Sequence, residues 1–226
     1  IRGGETIALI GGTGSGKSTL VKLLLDFYTP EAGSISFGGT DYTALPRAAV
    51  RDNFSVALQK SMIFEGSVRD NVRMGNEAAE DAALLDALDI AEMSSFLAQH
   101  EEGLDYRLAG AGANISGGQK QRINIARALI RPAEVYIFDD SFSALDYLTE
   151  SRLRKKLNRA LAGKTQIVVT QRAATAMRCD RIVVLDGGRL VGAGRHEELL
   201  DSCPVYREIY DSQLGAKDAA RGGDAE

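Results

Sequence analysis

The chain has 226 residues, of which 44% are hydrophobic; that is enough for one well-buried domain of two lobes and excludes a disorder-dominated polymer. Lys and Arg number 27 against 31 Asp and Glu, a net charge of −4, so no global basic field exists to hold nucleic acid or an anionic membrane. Cys179, Cys203, His100 and His196 are too scattered to form a zinc pattern or a disulfide framework, and no apolar run reaches the roughly 18 residues of a membrane span. Ile1-Arg2-Gly3-Gly4-Glu5 leads straight into a strand, so no signal peptide is expected to open the chain, and the thiols are expected to be reduced, as in a cytosolic protein. Thr6 to Ile10 reads as a buried strand. Behind it Gly11, Gly12, Thr13, Gly14, Ser15, Gly16, Lys17, Ser18 and Thr19 lead into a helix marked by Leu20, Leu23, Leu24 and Phe27.

A glycine-rich run between a strand and a helix is suited to phosphate. Its glycines let backbone N–H groups converge at positive or unusual φ, and the helix N-terminus adds partial positive charge. Lys17 is placed to reach the β- and γ-phosphates of a nucleotide, and Ser18 to ligate the Mg²⁺ that bridges them. A plain glycine-rich turn is the alternative, and the strand and helix on either side argue against it.

Thr29 to Gly33 marks a turn, and Ser34 to Phe37 with Gly38-Gly39 predicts a small β-hairpin. Phe54 to Leu58 is the next strand, ending at Gln59. From Ser67 to Gln99 the apolar residues Val68, Val72, Leu84, Leu85, Leu88, Phe96 and Leu97 fall in helical patterns, which predicts a helical insert. A Gly- and Ala-rich loop, Leu108 to Asn114, precedes Ile115-Ser116-Gly117-Gly118-Gln119, which opens a helix running to Ile130 with Pro132 beyond it. Val135 to Phe138 has the unbroken apolar character of a central parallel strand and ends in Asp139-Asp140. A charged helix from Thr149 to Leu161, a strand from Gln166 to Thr170, a short helix from Ala173 to Met177 and a strand from Arg181 to Leu185 follow. Leu190 to Ala193 is a last strand after Gly187-Gly188, His196 reads as a helix start, and Ala216 to Glu226 is expected to be a disordered tail.

The pattern predicts an α/β fold with a mostly parallel sheet, a small antiparallel β portion and an inserted α-helical subdomain. Ligands then gather where Ile10, Leu58, Phe138 and Thr170 end their strands. The expected division is a core lobe over about 1–60 and 133–202, a helical subdomain over about 61–132, and a C-terminal helix with the tail over about 203–226.

With the phosphate loop, the glutamine-ended strand, Ser116-Gly117-Gly118-Gln119 and the acid-ended strand in this order, the chain resembles the nucleotide-binding domain of ATP-binding cassette (ABC) proteins over nearly its whole length. The resemblance implies a P-loop NTPase with a RecA-like core, ATP and Mg²⁺ as ligands, and two cassettes meeting head to tail. Each ATP then lies between the phosphate loop of one cassette and the signature of the other. By this carry-over Ser116, Gly117, Gly118 and Gln119 touch ATP held by the partner, as a glycine-rich helix N-terminus suits an anion; an ordinary helix cap is the alternative for Ser116. Gln59 is implied to touch Mg²⁺ or the attacking water, and Asp139 to hold Mg²⁺ through water. Asp146, in Ser143-Ala144-Leu145-Asp146, is implied to connect the two ATP sites. Phe64 to Val72 and Val183 to Gly188 are similar to exporters rather than importers. This implies transmembrane domains as partners and a place at the cytoplasmic side of the membrane, without insertion by this chain.

The chain departs from the family pattern in four places. Asp140 stands where active cassettes carry the Glu that acts as base, and Gln171 stands where they carry a switch His. Gly110 occupies the place of an exporter Glu that faces the membrane domains, which leaves Phe64 as a candidate for that contact, or an ordinary core aromatic. The chain starts at Ile1, just ahead of the phosphate strand, so no adenine-stacking aromatic is assigned. The departures at Asp140 and Gln171 lead to the expectation of a degenerate, slowly hydrolysing site in a heterodimeric exporter. A regulatory ATP clamp without significant hydrolysis and a soluble cassette ATPase are the alternatives.

Overall fold

The computed structural model describes residues 1–215; the tail Ala216–Glu226 lies outside them. In chain order the elements are β1 (Thr6–Ile10), α1 (Lys17–Leu24), β2 (Ser36–Phe37), β3 (Thr40–Asp41), α2 (Arg47–Asp52), β4 (Phe54–Ala57), β5 (Gly66–Ser67), α3 (Val68–Arg73), α4 (Asp81–Ile90), α5 (Ser94–Ala98), β6 (Arg107–Leu108), α6 (Gly117–Ile130), β7 (Val135–Asp139), α7 (Tyr147–Ala160), β8 (Thr165–Thr170), α8 (Ala173–Ala176), β9 (Arg181–Asp186), β10 (Arg189–Gly194), α9 (His196–Ser202) and α10 (Pro204–Tyr210). They gather in two compact units, one of Ile1–Asp52 with the residues from Thr165 onward, the other of Asn53–Lys164. The fold is α/β with mainly parallel pairing and small antiparallel pieces. No described helix is long and apolar enough to cross a membrane.

In the first unit β1 lies between β8 and β9, parallel to both, with Ile7 opposite Ile167 on one side and Ala8 opposite Ile182 on the other. Strands covered on both faces are mostly apolar, and every residue of β8 is buried around its Ile167-Val168-Val169 centre. β10 turns back antiparallel to β9 through Gly187-Gly188. Ala8, Ile10, Ile182 and Val184 pack against Leu199, Cys203 and Tyr206 of the C-terminal helical segment. Gly192 permits this: a Cβ there would lie 2.8 Å from Cys203 Sγ and 3.0 Å from Leu199 Cδ2. Tyr206 is fully buried and its hydroxyl meets His196 Nδ1 at 2.8 Å, while burial pushes its phenol up to about 12. His196 begins α9 and serves as a packing and hydrogen-bonding residue.

Two sequence expectations fail here for local reasons. Phe27 is not part of the apolar face of α1: the helix stops at Leu24, Asp26 takes a left-handed φ of 53°, and Phe27 N–H closes the end by donating to Lys22 O at 2.9 Å. Phe27 is left exposed beneath the Arg51 guanidinium, 4.9 Å from its ring centroid. α2 went unpredicted because its six residues bury only Val50 and so carry no helical period.

In the second unit β4 and β7 pair in parallel, Phe54 opposite Val135 and Ala57 opposite Phe138. β4 ends at Ala57, one residue short of the expected Leu58, whose side chain is exposed and whose carbonyl accepts from Asn124 Nδ2 at 3.0 Å. The helical insert forms as α3, α4 and α5. Its first helix is closed by a capping box in which Ser67 Oγ accepts from Asp70 N–H and the Asp70 carboxylate accepts from Ser67 N–H. Arg127 of α6 donates to Asn71 O and Met62 O, and its guanidinium lies 5.7 Å from the Phe64 ring centroid. That leaves Phe64 half outside rather than in the core, 44% exposed. His100 packs on Phe96 and Tyr106, and its Nδ1 donates to Phe96 O at 2.7 Å.

Candidate nucleotide-binding site

The phosphate loop leaves β1 at Gly11 and enters α1 at Lys17. Gly11 is enforced by the neighbouring strand, since a Cβ would stand 2.2 Å from Leu185 O. Gly14 and Gly16 take φ of 78° and 100°, conformations that turn successive amides the same way and that a side chain would resist. Ser15 is buried, and its carbonyl accepts from Gly188 N–H at 3.1 Å, so the turn between β9 and β10 braces the loop from behind.

Lys17 is buried, and its ammonium donates to Gly11 O at 2.8 Å, Gly12 O at 2.7 Å and Ser15 Oγ at 3.2 Å. The charge is therefore held in the mouth of the loop. No side chain caps α1 at Gly16, so the leading amides of the helix remain directed at the loop, and Ser18 and Thr19 are exposed on its first turn. Left-handed glycines, a gripped ammonium, uncapped amides and two hydroxyls make a donor-rich loop whose chemistry fits an anion such as a phosphate chain.

Gln59 follows β4, and Asp139 and Asp140 end β7 and begin the next turn, all in the second unit. The structure brings Gln59 and Asp140 together, with Gln59 Nε2 donating to Asp140 Oδ2 at 3.5 Å. Asp139 is buried, and Ser141 Oγ next to it donates to Ala57 O at 2.8 Å, which joins the ends of the two paired strands. Asp140 has a left-handed φ of 48°. A non-glycine residue there costs about 1–3 kcal/mol and persists only where surroundings over-determine it. Its carbonyl accepts from Ser143 Oγ at 2.9 Å, Ser143 N–H at 3.3 Å and Gln121 Nε2 at 3.4 Å.

Ser116 is the N-cap of α6 in a full capping box: its hydroxyl accepts from Gln119 N–H at 3.2 Å and Gln119 Oε1 accepts from Ser116 N–H at 2.7 Å. A capping hydroxyl still has its own proton to donate, so the cap and an anion contact are compatible. Gly117 and Gly118 form the first turn. Asp146 caps α7 by accepting from Thr149 N–H at 2.9 Å, and hydrogen bonds from the Thr149 hydroxyl and N–H hold its carboxyl below the usual aspartate range. In the loop ahead of the signature, Gly110 opens a single 3₁₀ turn, with Ala111 at a φ of 54°.

In the first unit, Gln171 is exposed just past β8. Its carbonyl accepts from Gln213 Nε2 at 2.7 Å, while Gln213 Oε1 accepts from Ala173 N–H at 2.8 Å. Gln213 thus clamps the backbone on both sides of Arg172, and nothing in the sequence marked it. Gln121 was missed as well, although it lies two residues past the signature.

A profile of the family described as ABC transporter matches residues 1–143. The chain is 40% identical over 215 residues to an uncharacterized ABC transporter ATP-binding protein of Mycobacterium tuberculosis strain H37Rv, covering 94% of this chain and 37% of that protein. It is 38% identical over 214 residues to an ATP-dependent lipid A-core flippase of Saccharophagus degradans, covering 95% and 36%. Among solved structures, a bacterial Atm1-family ABC exporter with ATP bound superposes with a TM-score of 0.89 at 30% identity, over 100% of this chain and 38% of that one. The chain thus spans little more than a third of the length of these relatives. The phosphate loop and the 40% identity across almost the whole chain lead to one conclusion: the protein belongs to the ABC transporter family, as its ATP-binding domain.

Proposed function

We propose that this chain is the nucleotide-binding part of an exporter at the cytoplasmic face of a membrane. In this reading it binds Mg-ATP, pairs head to tail with a different cassette and turns over its own ATP slowly, while Ser116, Gly117, Gly118 and Gln119 complete the partner's site. The exporter and flippase among its relatives support the transport role. They also supply the inference that transmembrane domains accompany it.

Asp140 carries the slow-site reading. Its carboxylate is one methylene shorter than glutamate, its backbone is fixed in a left-handed turn, and it reaches Gln59 only at 3.5 Å. A base displaced by about 1 Å can lose on the order of 10²-fold in rate. Gln171 adds to this, since an amide hydrogen-bonds a phosphate oxygen but carries neither proton nor charge. Bound Mg²⁺, with Ser18 as a ligand, would supply charge neutralisation at the phosphates.

The chain alone is expected to turn over ATP slowly, and Asp140→Glu combined with Gln171→His to raise turnover at its own site about 10- to 100-fold. Steady-state phosphate release, measured with and without the partner cassette, reads both. Brisk turnover by the unmodified chain alone would sink the proposal. Nucleotide-stabilised pairing with no turnover in any mixture would favour the clamp reading instead.

A further inference from the structure

Gln121 is 8% exposed, and both ends of its amide are engaged in one turn of backbone. Oε1 accepts from Ala144 N–H at 2.9 Å, and Nε2 donates to Ser143 Oγ at 3.0 Å and to Asp140 O at 3.4 Å. Accepting and donating at once from this reach is a property of the glutamine amide; asparagine is one methylene too short. A second contact joins the same two segments. A Cβ at Gly118 would stand 3.1 Å from Ala144 O and 3.5 Å from Leu145 Cδ2, so the first turn of α6 rests directly on the Ala144 backbone and the Leu145 side chain. That turn runs from Asp140 at one end to the α7 cap, Asp146, at the other.

We infer that Gln121 is a positioning residue that couples the signature turn of α6 to the turn carrying Asp140, so that a shift of either is felt by the other. Gly118 sets the close approach and Gln121 fixes the register. The inference rests on the proposed reading, in which this chain binds Mg-ATP and its signature serves a partner.

The test is amide hydrogen exchange over residues 114–122 of the unaltered chain, with and without saturating Mg-ATP, beside equilibrium dialysis for Mg-ATP affinity. Mg-ATP is expected to slow exchange in this segment about threefold or more. Gln121→Met, which keeps shape but no donors or acceptors, is expected to remove most of that response while affinity stays within about twofold. Ser143→Ala, a smaller change at a half-buried position, is expected to remove about half of it and covers the case in which Gln121→Met does not fold. A purely packing role would raise exchange equally in both conditions and leave the response intact. An unchanged response in both variants, or no response in the parent, overturns the coupling. Failure of the parent to bind Mg-ATP at all overturns the nucleotide reading beneath it, and the dialysis separates the two outcomes.

Discussion

Lys17→Ala is expected to weaken Mg-ATP binding about 100-fold. The ammonium is buried in the phosphate loop and donates to Gly11 O, Gly12 O and Ser15 Oγ. It is therefore already desolvated and aimed before any phosphate arrives, so little ordering cost offsets its contact with a phosphate oxygen. A charged hydrogen bond is worth about 1.5–3 kcal/mol, and every 1.4 kcal/mol is about tenfold in affinity. Alanine also frees the two carbonyls that the lysine gathers, which loosens the loop, so the upper end of that range applies. Equilibrium dialysis checks it, and binding within about threefold of the parent would show that Lys17 is not the phosphate ligand. Lys17→Arg should not rescue, because a planar fork cannot meet three oxygens that converge on one point.

A large stability loss is expected at Gly75, a residue outside the nucleotide site. Gly75 follows α3 and lies against the C-terminal half of α6, where an added Cβ would stand 2.1 Å from Arg127 O and 2.5 Å from Ile130 Cγ2. Neither atom can yield cheaply. The carbonyl belongs to a helix backbone, and Arg127 also ties Asn71 and Met62 in place. Gly75→Ala should therefore cost about 3 kcal/mol, at the upper end for overpacking, and lower the melting temperature by about 6–12 °C in a chain of this size. Gly110→Ala is the control: no atom lies within 4 Å of its Cβ position, and its effect should stay within about 0.5 kcal/mol. Thermal melts of the two variants decide this, and equal melting temperatures would refute the packing argument.

The elements that bury whole faces were legible in the sequence. Val135 to Phe138 and Ile167 to Val169 announce themselves because strands covered on both faces are mostly apolar. The phosphate loop was legible because its chemistry needs fixed residue types at fixed spacing. Helix ends were not: the end of α1 depends on Asp26 accepting a left-handed backbone, which leaves no mark in the pattern. Gln121 and Gln213 were invisible for a related reason. Each works through bonds to backbone groups 19 to 42 residues away, and no local periodicity reports such partners. The left-handed turn at Asp140 was equally hidden, although the identity of that residue was the strongest sequence signal for a slow site.

The close approach of Gly192 to Cys203 makes the chain its own reporter of loosening at the C-terminal end. Cys203 Sγ is buried and directed at Val191 O, whereas Cys179 is partly open to solvent. An alkylating reagent added to the folded protein is therefore expected to mark Cys179 first, and the slow appearance of a doubly marked species clocks the detachment of α9 and the Cys203 that caps it from the strand edge.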